Sequence, residues 1–499
     1  MKVLTDYLLP YDETDPKSIY HYAEKLKGKN FVDILANSAE IVSENLDDVD
    51  YLTKQISYYN NPRSKGGLGN LVEKYYFGFE PNSSPLPDFE EAGLELKLTP
   101  YKKNKNGTYS AKERLVIGMI PYDRPVPNSF EDSHVKEKLN LVLFLFYEFK
   151  KELARTQYTI THVQLFHLFS EVLSKDLEII IDDYNKIIEK IKAGKAHELS
   201  EGDTMYLGAC TKGATAKKSE QPQFYNKEIK AKRRAYSLKQ GYMTSFLNNY
   251  VFKGIDTYQS IGESFASQED FEKEVLAKIE RYKGYSRADL VREFDLENIT
   301  AKNLFSVIAM RILGITSSHA EEFTKSNTLV KTIRVEENNT IRENMSLSNI
   351  NFREFVNTEW EDSDIYEYFE TTRFLFVVFK NDGEDYCLSH AVFWHMPAQD
   401  LNGPLKQEWL ANQQIIRNGI KFSLSGKRIF NNLPTAQETK ISHLRPRAAQ
   451  SAYKIAELNI ERGNIEKDAD QLPNGDYMTR QAFWLNKSYI GEIIELDNL

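Results

Sequence analysis

Four segments in the first half of this 499-residue chain recur, in the same order, in the second. Lys25 to Leu35 is echoed by Arg281 to Val291, and Phe130 to Ser133 by Trp360 to Ser363. The apolar stretch Leu143 to Lys150 is echoed by Arg373 to Lys380, and Lys239 to Tyr242 by Arg480 to Phe483. Conserved order over such distances implies a duplicated domain, and a chain this long exceeds what one hydrophobic core can serve. We therefore expect two related lobes, residues 1–253 and 273–499, joined by a linker at 254–272. Each should be a mixed α/β (α+β) unit, a sheet flanked by helices.

The chemistry is written between Pro87 and Leu98. If Leu94 to Leu98 forms a strand, alternation puts Glu95 and Lys97 on one face and Leu94, Leu96 and Leu98 on the other. One face then carries charge while the other packs. Asp88 and Glu95, with the backbone carbonyl of Leu96, would offer a hard divalent cation such as Mg2+ the oxygen ligands it prefers. Lys97 beside that cation could orient an attacking water and offset charge on a pentavalent phosphate. An acid, a gap and Glu-x-Lys is a common pattern in isolation, so its surroundings decide.

Upstream, Ser64-Lys65-Gly66-Gly67-Leu68-Gly69 is a glycine-rich turn running into an apolar-periodic helix that ends near Glu73. Downstream, Ser133-His134-Val135-Lys136-Glu137-Lys138-Leu139 precedes the apolar run Leu141 to Phe149. In this order the segments resemble the MutH family of GATC-specific endonucleases, and most of all its two-lobed, Sau-type restriction enzymes. The resemblance implies a first lobe of restriction-endonuclease, PD-(D/E)xK, type. It makes Glu73 a helix carboxylate near the metal, Asp88 and Glu95 the ligands, and Lys97 and Lys138 the active-site lysines. Each has an ordinary alternative as a solvated or helix-face residue; His134 could be a turn residue satisfied by the backbone. All five matches in family order weigh against those alternatives.

Further segments resemble the family's DNA-reading lobe: Gly194 to Gly202, Tyr206 to Ala214 and Lys239 to Ser245. The resemblance sends Lys212 into the major groove toward guanine, whose O6 and N7 accept from a cationic donor. Lys217, Lys218, Lys227, Lys230, Lys232, Arg233, Arg234 and Lys239 follow, enough to neutralise several phosphates. Cys210 stands where the repair enzyme has an arginine, and Ser237 where it has a tyrosine linked to sensing adenine methylation. Sensitivity to methylation therefore does not carry over.

A net charge of −9 is unusual for a nucleic-acid binder, so the distribution of charge matters. Lys102, Lys103, Lys105, Lys112, Arg114 and the 212–239 region gather positive charge, while acids crowd Asp47 to Asp50, Glu336 to Glu343 and Glu359 to Glu370. Cys210 and Cys387 supply neither a disulfide framework nor zinc spacing. No apolar segment reaches membrane-spanning length and the start lacks a signal-peptide core, so a soluble, cytoplasmic protein is expected.

In the second half the sequence register sets Ala309 against Glu73, Leu329 against Glu95 and Tyr368 against Lys138, with Lys331 keeping the type of Lys97. A leucine cannot replace a carboxylate ligand, so this half should not cut. Arg445 and Arg447 fall where the first half has its reading segment, and arginine is the commonest bidentate reader of guanine. Salt bridges to nearby carboxylates are the structural alternative for both. The expected function is Mg2+-dependent double-strand cleavage of DNA at GATC by a type II restriction enzyme, with an allosteric second DNA-binding lobe. Two GATC sites per active assembly and a monomer that dimerises on DNA complete the expectation. A strand-nicking repair endonuclease is disfavoured by the duplication, and a noncleaving GATC-binding regulator by the five intact site residues.

Overall fold

The computed structural model describes residues 9–38, 48–61, 67–82, 84–105, 107–212, 219–252, 259–262, 265–297, 303–316 and 320–496. It divides into two compact units: Met1–His197, Thr204–Asp270 and His319–Asn327 form the first, and Glu198–Asp203, Phe271–Ser318 and Thr328–Leu499 the second. Two short segments thus belong to the unit opposite their own half. The linker span also needs correction, because its end already lies in the helix Gln268–Glu280.

In the first unit, strands β1 (Glu95–Lys103), β2 (Tyr109–Ala111), β4 (Leu141–Glu148) and β5 (Ile160–His167) form a mixed sheet in the order β2-β1-β4-β5. The run Leu141 to Phe146 is continuously apolar because β4 is covered on both faces. Leu143 and Leu145 join Leu94, Leu96, Phe77 and Phe89 in one core. Phe144 and Phe146 stack on each other and pack against Phe246 on the opposite face. A second sheet, in the order β3-β7-β6, is made of β3 (Leu115–Met119), β6 (Leu207–Thr211) and β7 (Arg234–Leu238). Helices α1 (Phe31–Ala36), α2 (Gly67–Val72), α3 (His134–Asn140), α4 (Ser174–Lys192) and α5 (Gln240–Phe246) complete the parts that concern the site.

The second unit repeats this plan. Its β8 (Thr328–Val335), β10 (Arg373–Asn381) and β11 (Tyr386–His395) form a sheet in the order β8-β10-β11. Its β9 (Met345–Asn349), β14 (Ser442–Pro446) and β15 (Gln481–Leu485) form another in the order β9-β15-β14. The leading pairs, β1 with β4 and β8 with β10, are both parallel.

Local devices recur as well. Gly28 (φ +82°) donates its amide to Ile160 at 2.8 Å, and Gly284 (φ +82°) donates to Leu388 at 2.8 Å. Both turns need the left-handed conformation that glycine adopts without strain. The helices that follow, α1 and α6 (Arg287–Glu293), each open with a reciprocal capping box, Asn30 with Asp33 and Ser286 with Asp289. Ser133 and Ser363 cap α3 and α7 (Asp364–Thr371), and each hydroxyl donates 2.6 Å to the carbonyl three residues earlier.

Two details of the sequence register are corrected. Lys239 begins a helix whereas Arg480 to Phe483 lies at a strand, so this four-residue echo is fortuitous; the residue after β15 that caps a helix is Asn486. Lys97 pairs with Phe144 and Leu329 with Phe374, its echo. Leu329 therefore occupies the place of Lys97, Asn327 that of Glu95, and Lys331 that of Thr99. The slip of two residues preserves the pleat, which is why alternation alone could not reveal it.

The segment His319–Asn327 is bound into the first unit by charge. Lys325 lies 2.7 Å from Asp176 and 2.9 Å from Glu321, while the Tyr242 hydroxyl donates to Asp176 at 3.0 Å. Gly241 permits this approach, since a Cβ there would meet the Thr324 carbonyl at 1.9 Å. In the second unit Arg373 donates to the Gly202 carbonyl at 3.1 Å, Ser200 to the Glu370 carbonyl at 3.3 Å, and His395 pairs with Asp203 at 3.2 Å.

Candidate active site

The turn Glu90 to Gly93 explains the spacing of the acids. Phe89 and Leu94 exchange backbone hydrogen bonds of 2.9 and 3.1 Å, and Gly93 (φ +60°) closes the turn. Asp88 is thereby folded back onto β1, where its Oδ2 accepts from the Leu96 amide at 2.9 Å. Alternation along β1 leaves Leu96 in the core and turns Glu95 and Lys97 the other way.

Glu95 is only 1% exposed. An isolated buried carboxylate would be strongly disfavoured, and two ammonium groups offset it. Lys97 reaches Oε1 at 2.5 Å, and Lys138, from α3, reaches Oε1 and Oε2 at 3.0 and 3.2 Å. Glu73 starts a widened π-type turn, Glu73–Phe77, that continues α2 and ends at Gly78 (φ +78°). Such turns re-aim a side chain within a helix and are frequent at functional sites. Burial, then repulsion from Asp88, pushes the Glu73 carboxyl up to about 7. Asp88 is also raised, by burial and then by Glu95.

These groups line one cleft of about 850 Å3, together with His134, Asn70, Arg124, Gln221 and Arg233. His134 packs edge-on against Tyr236 with ring centroids 5.6 Å apart, and burial, then Lys138, lowers its basicity. Gly118 makes room for it, because a Cβ there would fall 2.7 Å from the imidazole Nε2. Gly118 carried no sequence signal, since the partner that demands it lies on a distant helix.

The cleft suits a hard divalent cation. Glu73 and Asp88, held above their usual range beside Glu95, form an acidic cluster that the two lysines only partly offset. Among the described residues no three acidic or imidazole groups converge as a finished cage. The expected ligand pair, Asp88 and Glu95, lies in this cleft. Leu96 contributes its amide, which fixes Asp88.

The residues expected to read DNA fare differently. Lys212 follows β6, and its amide extends the ladder by donating to the Arg233 carbonyl at 2.8 Å. Arg233 is exposed and lines the cleft. Lys217 lies outside the described residues. Lys239 is corrected: it is 0% exposed and its ammonium binds the carbonyls of Thr204 and Ser326, so it holds the fold together and does not meet solvent.

In the second unit the same ladder places Arg445 and Arg447. Leu207 pairs with Leu238 and Ser442 with Leu485, so counting along β6 and β14 makes Arg445 the counterpart of Cys210 and Arg447 that of Lys212. The Arg447 amide donates to the Arg480 carbonyl at 2.8 Å, repeating the Lys212 contact. Both side chains are exposed; Arg445 stacks 4.8 Å over Trp484 and Arg447 donates to the Leu347 carbonyl. β6 and β14 are each also started by one carboxylate. Asp183 accepts from the amides of Met205, Tyr206 and Leu207, and Glu408 from those of Lys440, Ile441 and Ser442.

Residues 77–183 match the family model described as DNA mismatch repair enzyme MutH. The type II restriction enzyme Sau3AI of Staphylococcus aureus is 36% identical over 470 residues, spanning 87% of this chain and 93% of that protein. The DNA mismatch repair protein MutH of Vibrio campbellii is 26% identical over 243 residues, 48% of this chain and 93% of its own length. That of Vibrio vulnificus strain YJ016 is 29% identical over 191 residues, 38% of this chain and 79% of its own. With a restriction enzyme 36% identical over 93% of its length and the repair proteins matched over part of the chain, this protein belongs to the MutH-related family of type II restriction enzymes.

Proposed function

We propose that this chain is a site-specific deoxyribonuclease that cuts both strands of duplex DNA at GATC with Mg2+, acting in the cytoplasm. The observation that carries the reading is the convergence of Glu73, Asp88, Glu95, Lys97 and Lys138 in one cleft. Asp88 and Glu95, with the Leu96 carbonyl, would hold the cation, and Glu73 would adjust its surroundings. Bound there, a divalent cation supplies Lewis acidity and lowers the pKa of water. Lys97, the more exposed lysine, faces the open cleft and would orient the attacking water; Lys138 holds the Glu95 carboxylate in place. The chain's own cations thereby meet charge that develops on the phosphate.

The same reading gives Lys212 a guanine contact and makes 273–499 a noncleaving effector domain. In that half Leu329 and Asn327 stand where the first has Lys97 and Glu95, whereas Arg447 repeats the placement of Lys212. Two DNA sites per active assembly follow, with association of chains on DNA. Incubating the protein with unmethylated plasmid and Mg2+ and mapping the fragment ends tests the proposal. Blunt or staggered double-strand ends at GATC support it; nicks alone favour a repair-type activity, and intact plasmid overturns it.

A further inference from the structure

Between α8 (Pro404–Asn418) and β14 the second unit carries a two-stranded antiparallel ribbon, β12 (Phe422–Ser425) and β13 (Arg428–Asn431). At the matching place the first half of the chain has only the short turns Ala196–Glu198 and Glu201–Asp203 between α4 and β6. The ribbon is therefore an addition to the duplicated plan. Its inner face is anchored at two positions, Phe422 and Ile429, which pack on the core, while Leu424 on the same face is 50% exposed; Arg462 donates to the Lys427 carbonyl at 2.8 Å.

The outer face is unusual for an edge ribbon. Ser423 pairs with Phe430 and Ser425 with Arg428, so alternation puts all four on the side away from the core. Phe430 is 49% exposed, an apolar ring at the surface. Gly426 (φ +59°) forms the tip next to Lys427. Lys421, Lys427 and Arg428 are exposed, and among the described residues none pairs with a carboxylate. Tyr453, six residues beyond Arg447, packs on Phe422 at 6.3 Å between ring centroids, so the reading loop returns to the base of the ribbon.

We infer that this ribbon enters the major groove of the effector duplex, a deduction that rests on the DNA-binding reading of the second unit. A two-stranded ribbon fits that groove, and unpaired cations at its tip suit phosphates on the groove walls. Phe430 and the two serine hydroxyls then face the base edges, where an aromatic ring can meet a thymine methyl group. The ribbon lengthens the surface begun by Arg445 and Arg447.

The test uses the full chain, a plasmid with one GATC site, and a short uncleavable GATC duplex as effector. Lys427→Ser with Arg428→Ser should raise the duplex concentration for half-maximal stimulation roughly tenfold, and lower the magnitude of the salt slope by about two. Phe430→Ala should weaken stimulation without changing that slope. Because all three side chains are exposed, thermal unfolding should stay at the wild-type temperature. If the triple variant responds to the effector as wild type does while Arg445→Ala with Arg447→Ala does not, the ribbon proposal is overturned and the effector reading stands. If neither set changes the response, the effector reading falls and the ribbon proposal with it. Equal loss of unstimulated cleavage by the triple variant would place the ribbon on the cut duplex and also overturn the proposal.

Discussion

Replacing Glu73 with Gln should make the metal-free protein more stable at pH 8 while removing its activity. The carboxyl is raised from an ordinary 4.5 to about 7, chiefly by burial and then by Asp88. Below pH 4.5 it is neutral in both the folded and the unfolded chain. Between 4.5 and 7 the unfolded chain has released the proton and the folded chain retains it, so stability falls as pH rises, and the loss is complete above about 7. At about 1.36 kcal/mol per pH unit, the interval gives an upper bound of about 3.4 kcal/mol. Residual exposure and screening reduce this to roughly 1–2 kcal/mol. Glutamine mimics the neutral form, so Glu73→Gln should raise the unfolding temperature of the first unit by roughly 2–8 °C at pH 8 with chelator present. The gain should vanish at pH 4.5, and added Mg2+ should narrow it at pH 8 by stabilising the wild type more. Thermal unfolding at two pH values, with and without Mg2+, measures all of this. A variant less stable than wild type by the same amount at both pH values would show that Glu73 is an ordinary satisfied carboxylate and that the acidic cluster is misread.

Asp88→Ala and Glu95→Ala each remove a charged oxygen ligand and should abolish plasmid cleavage while GATC binding stays detectable by gel shift; near-normal digestion would put the active site elsewhere. Lys97→Ala should behave likewise, as a defect in turnover. Lys212→Ala should lose roughly 1–3 kcal/mol of binding to GATC duplex with little loss on a scrambled duplex at the same salt, and equal losses would demote it to a phosphate contact. Arg445→Ala with Arg447→Ala should slow two-site plasmids far more than one-site plasmids; wild-type rates on both would make these arginines structural.

The legible parts of this protein were those governed by local rules. The pleat fixed which of Glu95, Leu96 and Lys97 face together, and the glycine turns at Gly28 and Gly284 with their capping helices made the duplication readable. Lys239 was misjudged because sequence places it in a basic run, while the carbonyls that capture its ammonium come from Thr204 and Ser326, far along the chain. The register of the second half slipped by two residues because a pleated strand looks the same after such a shift. Gly118 was invisible for a related reason: the constraint on it is the imidazole of His134, not a backbone angle.

The small segments held by the opposite unit bear on how such a chain can change. A polypeptide ending at Asp270 would contain Asp176 and Tyr242 but not Lys325, leaving a buried carboxylate without its cation, a loss that commonly costs about 3–5 kcal/mol. A polypeptide starting at Phe271 would lack the Gly202 carbonyl that Arg373 grips. Neither half of the chain, cut at Asp270, therefore carries every contact that its own compact unit uses. A truncation at residue 270 should lower the unfolding temperature of either piece, whereas the Phe422–Asn431 ribbon lies wholly within the second unit and can be altered without touching those contacts.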